Sequence, residues 1–172
     1  MRFLRARLTI LVGLAAALLA GSTACGTTNP TQNADAEATG SLTVLDPWVK
    51  AADEGMTAVF GTLVNNSSQE VTVVSAASPI SPVEIHEVVM SGGAMTMREK
   101  EEGITIPAGG SHVLEPGGDH LMLMELSQPV RPGDEVHLTL TLATGETHEF
   151  VAVSKPFAGA EETYRPHQEE HS

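Results

Sequence analysis

Cysteine, aromatic residues and positive charge are all scarce in this 172-residue chain, and each shortage closes off a class of function. The single cysteine, Cys25, excludes an internal disulfide, a CxxC redox pair and a cysteine-rich zinc site. It also leaves no thiolate in the body of the chain for a blue-copper centre, so an electron-transfer cupredoxin would lack a needed ligand. Nine basic residues face 22 acidic ones, a formal charge of −13, which supplies no basic surface for nucleic acid. Six aromatic residues are too few for base-stacking platforms. There is no GxSxG elbow, no Gly-rich phosphate loop and no HExxH, and no carboxylate pair is singled out by spacing. The chain is therefore not read as an enzyme. What remains is a hydrophobic content of 41%, enough for one modest core, together with seven methionines and seven histidines.

Residues 1–24 have the form of an export signal. Arg2, Arg5 and Arg7 make a positive start, and Leu8 to Ala20 form an apolar run too short for a comfortable membrane span. Ser22-Thr23-Ala24-Cys25 resembles a bacterial lipobox, with serine where leucine is usual. Cleavage before Cys25 would leave a cysteine for lipid attachment and six basic against 22 acidic residues, a charge of −16. Residues 25–41 hold no large apolar side chain after the cysteine and read as a flexible tether. Residues 156–172 read as an acidic, His-containing, solvated tail.

The body, residues 42–155, is expected to be all-β, a cupredoxin-like Greek-key sandwich or barrel. Alternating or β-branched runs recur at short intervals, as in LTVLDPWV, MTAVFGTLVN, VEIHEVVM and EVHLTLTL. Gly, Pro and Asn clusters separate them, among them Ser91-Gly92-Gly93, Pro116-Gly117-Gly118 and Arg131-Pro132-Gly133-Asp134. No window shows a long 3.6-residue period with helix caps.

Two clusters could carry chemistry. One runs from His86 through Met90 and Met95 to Met97, and the other is His120-Leu121-Met122-Leu123-Met124. Side chains two apart on a strand share a face, so His120 and Met122 point one way and Leu121 and Leu123 the other. A hairpin through Ser91-Gly92-Gly93 can bring His86 near Met97. Two imidazoles and two thioethers suit Cu(I), because thioether sulfur is soft and uncharged. Methionine is also a common core filler, and composition and spacing leave both readings open. His112, His137 and His148 lack partners at metal spacing and read as surface or satisfied residues. His167 and His171 lie among Glu169 and Glu170, and any metal they hold would be Cu(II).

The text from Trp48 to about Val153 resembles the periplasmic copper chaperone PCu(A)C family. The resemblance rests on Glu84-Ile85-His86-Glu87, Gly92-Gly93-Ala94-Met95-Thr96-Met97-Arg98, Ile106-Pro107-Ala108-Gly109-Gly110 and Pro116-Gly117-Gly118-Asp119-His120-Leu121-Met122. It implies a cupredoxin-like barrel, one Cu(I) per domain, and His86, Met97, His120 and Met122 as its ligands. It also implies delivery toward respiratory oxidase assembly, with an oxidase subunit or another copper chaperone as the membrane partner. The gap between Met97 and His120 holds 22 residues, one more than is usual in that family. The surplus falls in Glu99-Lys100-Glu101-Glu102, where a surface loop can absorb it. The expected protein is a monomer, lipid-anchored on the extracytoplasmic face of the cell membrane. The alternative is a copper-independent surface lipoprotein whose β-sandwich serves as an interaction module, with the four candidates packed as core.

Replacing Cys25 with serine is expected to release the protein from membranes or to block its processing. Mass spectrometry of the mature N-terminus checks this, and an unmodified cysteine there contradicts it.

Overall fold

The structure, a computed structural model, describes residues 40–159 and 163–164. The export signal, Cys25, the tether up to residue 39 and the tail histidines His167 and His171 lie outside the described residues. Among those described, every helix or strand is a strand. The strands are β1 (Leu42–Lys50), β2 (Thr57–Asn65), β3 (Val71–Ala77), β4 (Val83–Ser91), β5 (Ala94–Glu99) and β6 (Ile104–Ile106), followed by β7 (Ser111–Leu114), β8 (His120–Leu123), β9 (Glu135–Leu142), β10 (Thr147–Lys155) and β11 (Thr163–Tyr164).

Hydrogen bonding links them in the order β11-β5-β4-β8-β2-β1-β10-β9-β3-β6, with β7 on the far half of β2. Pairing is antiparallel except for β1 with β10 and β11 with β5. The path curls on itself, so that β3 and β4 come together although they are distant along it. The enclosed space is filled by alternate residues of each strand, as the period of two requires. Val59 and Leu63 come from β2, Ile85 from β4, Leu121 and Leu123 from β8, and Val136, Leu138, Leu140 and Leu142 from β9.

The other face of β1, β2, β8, β4 and β5 carries a second, smaller apolar cluster. Ala58, Phe60, Met97 and Met122 are buried there, with Trp48, Val88, Met124 and Tyr164 packed against them. A bulge makes Trp48 part of this face. On β1, Leu45 lies opposite Thr62 but Trp48 lies opposite Phe60, so two residues stand against Gly61 alone. The extra residue shifts the alternation by one. Trp48 thereby joins Phe60 on the outer face, and Val49 joins Val59 in the core. Asp46, at φ 48°, takes the left-handed turn inside the bulge. Gly61 lets the strands close up, since a Cβ there would sit 3.1 Å from the Leu45 carbonyl oxygen.

The charged stretch to which the surplus residue is assigned falls outside the strands that carry the candidate ligands, apart from Glu99 at the end of β5. Lys100–Gly103 forms the turn between β5 and β6, closed by the Gly103 N–H donating to the Lys100 carbonyl at 2.9 Å. Gly103 has φ 70°, and a Cβ on it would collide with the Val73 carbonyl. Gly103→Ala is therefore expected to destabilise the fold by at least about 1–2 kcal/mol, the cost of a left-handed alanine before any clash is relieved. Urea unfolding measures it, and a loss below about 0.5 kcal/mol, within the ordinary range for surface substitutions, counts against this backbone geometry.

Candidate metal centre

Register decides which side chains meet. His86 lies directly opposite His120, and Glu84 opposite Met122, across β4 and β8. Met97 lies opposite Val88, two residues along β4 from His86 and so on the same face. Ala58 of β2 stands opposite Met122 on its other side, and its small side chain leaves room for the thioether. All four candidate ligands thus occupy one sheet face, turned away from the main core. They are also covered: His86 is 0%, Met97 5%, His120 3% and Met122 4% exposed. The His86 and His120 rings are edge to face, with centroids 5.7 Å apart, and Phe60 lies 6.1 Å from His120.

The donor set is neutral, two imidazoles and two thioethers, and its hydrogen bonding suits a cation. The Nε2 of His86 is 2.7 Å from the Glu84 carboxylate, and its Nδ1 is buried with no hydrogen-bond partner. The Nδ1 of His120 is 3.0 Å from the Gly118 carbonyl oxygen, which can only accept. Each ring therefore has a nitrogen placed against an oxygen of the protein, as ligating histidines commonly do.

Part of the expected solvated tail lies on this face instead. Phe157 packs edge-on against Trp48 at 5.3 Å, and the Lys50 ammonium donates to the Gly159 carbonyl at 2.6 Å. Tyr164 lies opposite Met97 in the β11–β5 pair and stacks on His86 at 5.0 Å and 12°. The Tyr164 hydroxyl donates to Glu84 Oε2 at 3.3 Å. Burial and the nearby Glu84 charge push the phenol above its usual range, which keeps the donor proton in place. Aromatic packing thus outweighs the polar composition of the segment. A sequence signal existed: the chain's only tyrosine and one of its four phenylalanines stand in that stretch.

The other methionines and histidines separate clearly. Met124 packs against the cluster, whereas Met90 and Met95 face each other across the hairpin tip and are exposed, as is Met56. The Nε2 of His112 is 2.9 Å from Asp119, the residue before His120. His137 is exposed and His148 half-buried. Glu84, which sequence reasoning quoted only as part of a motif, proves to face the site two residues before His86.

Behind the site, an ion-pair network ties β4, β5 and the turn before β8. Glu87 accepts from Arg98 Nη2 at 2.7 Å and from Lys100 Nζ at 2.8 Å, and Lys100 also lies 3.8 Å from Asp119. Hydrogen bonds from Lys100 and then Arg98 hold the Glu87 carboxyl below the ordinary 4.5.

Comparison with known proteins places this architecture. Solved PCuAC domains share the cupredoxin-like fold: the copper-bound PCuAC domain of PmoF2 superposes with a TM-score of 0.56 at 19% identity, over 69% of this chain and 95% of its own. The solution structure of apo-DR1885 from Deinococcus radiodurans is 33% identical, with a TM-score of 0.53 over 81% of this chain and 98% of its own. The same protein has also been solved as CuI-DR1885. "Putative lipoprotein Lxx21020" of Leifsonia xyli subsp. xyli is 41% identical over 153 residues, 87% of this chain and 92% of that protein. Residues 42–154 match the family model "Putative lipoprotein LpqE-like", and the chain belongs to the LpqE-like family.

The lowered Glu87 carboxyl makes a pH prediction. A carboxyl that binds protons less readily when folded stabilises above its unfolded value, and the benefit is lost as pH falls through the folded value. Glu87→Gln is expected to lose about 0.5–1 kcal/mol near pH 7 and a smaller amount near pH 3. Urea unfolding at both pH values tests this, and an equal loss at both would show that charge is not involved.

Proposed function

We propose that this chain is an exported, membrane-tethered carrier that binds one Cu(I) through His86, Met97, His120 and Met122 and yields it to a membrane-bound acceptor. The observation that carries the reading is the collection of two imidazoles and two thioethers on one covered sheet face, with His86 Nδ1 buried and unpartnered. Sulfur and nitrogen donors without charge favour a soft monovalent ion over zinc, calcium or magnesium. The Cu(I) form in which DR1885, a solved relative, is known supports the same cargo. Burial of the donors alone would also fit a packed apolar cluster. A core, however, gains nothing from an imidazole nitrogen left without a partner.

Delivery follows from weak, neutral ligands. A thioether leaves without taking up a proton, so an acceptor's own donors can replace Met97 or Met122 one at a time. The acceptor in this reading is a respiratory oxidase subunit or another copper chaperone. Lipid on Cys25 keeps the carrier at the extracytoplasmic membrane face, and the name of the Leifsonia relative supports that attachment. The carrier works as a monomer, with residues 42–155 as the copper domain.

Anaerobic titration with Cu(I) against a competing chelator tests the function. The full chain is expected to bind one equivalent. Met97→Leu and Met122→Leu, which nearly conserve volume, should keep the fold and weaken binding at least about tenfold, or about 1.4 kcal/mol. Wild-type affinity in both variants would remove the site assignment.

A further inference from the structure

We propose that Glu84 and Tyr164 are positioning residues of this site: together they fix His86 as its Nε2–H tautomer and thereby make Nδ1 the atom that meets the metal. The inference rests on the copper-carrier reading and specifies how one of its ligands is prepared.

The hydrogen bond at 2.7 Å between His86 Nε2 and Glu84 Oε2 has only one workable polarity. An ionised carboxylate accepts and does not donate, so the proton sits on Nε2. A neutral imidazole carries one N–H, which leaves the lone pair on Nδ1. That Nδ1 is buried and without a partner. An unpaired buried acceptor is a standing cost that a bound cation would relieve. The opposite tautomer would set two lone-pair-bearing atoms against each other at Glu84 and bury an unsatisfied N–H.

His120 is set the other way round. Its Nδ1 faces the Gly118 carbonyl at 3.0 Å, so Nδ1 carries the proton and the lone pair falls on Nε2. The two facing imidazoles therefore offer different nitrogens, Nδ1 from His86 and Nε2 from His120. A backbone carbonyl fixes one ring and a side-chain carboxylate fixes the other. Only the second can be altered by substitution without touching the main chain.

Tyr164 secures that carboxylate. Its hydroxyl donates to Glu84 Oε2, the same oxygen that takes the His86 proton, while its ring lies nearly parallel to the imidazole. The stack resists rotation of the His86 ring, and the hydroxyl resists departure of the carboxylate. The backbone of Tyr164 is paired with that of Met97, so one residue braces two ligands at once. Glu84 is about one-third exposed, so the carboxylate meets water on one side and His86, fully buried, on the other.

The test uses the full chain, labelled with ¹⁵N-histidine and solubilised in mild detergent. Long-range ¹H–¹⁵N spectra report which ring nitrogen holds the proton, with His86 assigned by its loss in His86→Gln. In the metal-free protein at pH 7.5, His86 is expected as the Nε2–H tautomer and His120 as Nδ1–H. Added Cu(I) should shift His86 Nδ1 and His120 Nε2. Glu84→Leu should mix the His86 tautomers and weaken Cu(I) binding about 10–100-fold, as loss of an outer hydrogen-bond partner does. Glu84→Gln keeps an oxygen acceptor and should recover most of both signals. Tyr164→Phe keeps the stack and should fall between wild type and Tyr164→Ala. The His120 tautomer should stay fixed in every variant, which separates repositioning of His86 from misfolding. A wild-type His86 protonated at Nδ1 or at both nitrogens overturns the proposal, as does Glu84→Leu with unchanged tautomer and affinity. A wild-type chain that takes up no Cu(I) overturns the carrier function itself. One that takes up Cu(I) through Nε2 of His86 overturns only this assignment.

Discussion

The antiparallel register of β4 with β8 sets His86 against His120, and nearly every other feature of the site follows from it. A strand has two faces, and β8 has both of them buried. Leu121 and Leu123 enter the main core, and His120 and Met122 enter the second cluster. Slippage by one residue would exchange these sets, placing two imidazole-bearing or thioether-bearing positions in the core and two leucines at the site. The apolar demand of the core therefore enforces the alignment of the polar donors. Stability and site geometry are two readings of one register.

Much of this was legible because it depends on local alternation. The strands at LTVLDPWV, MTAVFGTLVN, VEIHEVVM and EVHLTLTL could be traced from β-branched runs and turn residues, and alternation along the last sets Leu138, Leu140 and Leu142 on the core face. The surplus residue between Met97 and His120 could be assigned to a charged stretch with nothing to bury, and a turn lies there. Three things were not legible. The bulge at Asp46 and Pro47 depends on how two strands meet, and it reverses the face of Trp48. The pairing of Tyr164 with Met97 joins residues far apart in sequence, and its strand is only two residues long. The hydrogen bond from His86 to Glu84 could have been suspected, because an acid two positions away on a strand shares the face. Without the fold there was no reason to prefer it over a solvated carboxylate.

The site is neutral within a strongly acidic chain, and the two properties serve different ranges. Acidic surface raises the local concentration of cations without selecting among them. Selection belongs to the donors, where uncharged sulfur disfavours hard divalent ions. The Glu87 network keeps charge at hand but engaged, since Arg98 and Lys100 occupy both carboxylate oxygens behind the site face. Glu84 brings a carboxylate to the donors and is committed to His86 and Tyr164, and Glu99 stands opposite His86 across β4 and β5.

The contrast between the methionines of the hairpin has a chemical consequence outside metal binding. Met90 and Met95 stand opposite each other at the tip, 67% and 45% exposed, while Met97 lies two residues further along β5 at 5%. Oxidation of methionine to its sulfoxide follows access to solvent, and it turns an apolar side chain into a polar one. Peroxide reaching this end of the molecule meets the tip pair first. A sulfoxide at Met90 or Met95 disturbs nothing that is packed, whereas one at Met97 or Met122 would place a polar group inside the cluster. The hairpin thus sets an order of damage in which exposed sulfurs are consumed ahead of buried ones.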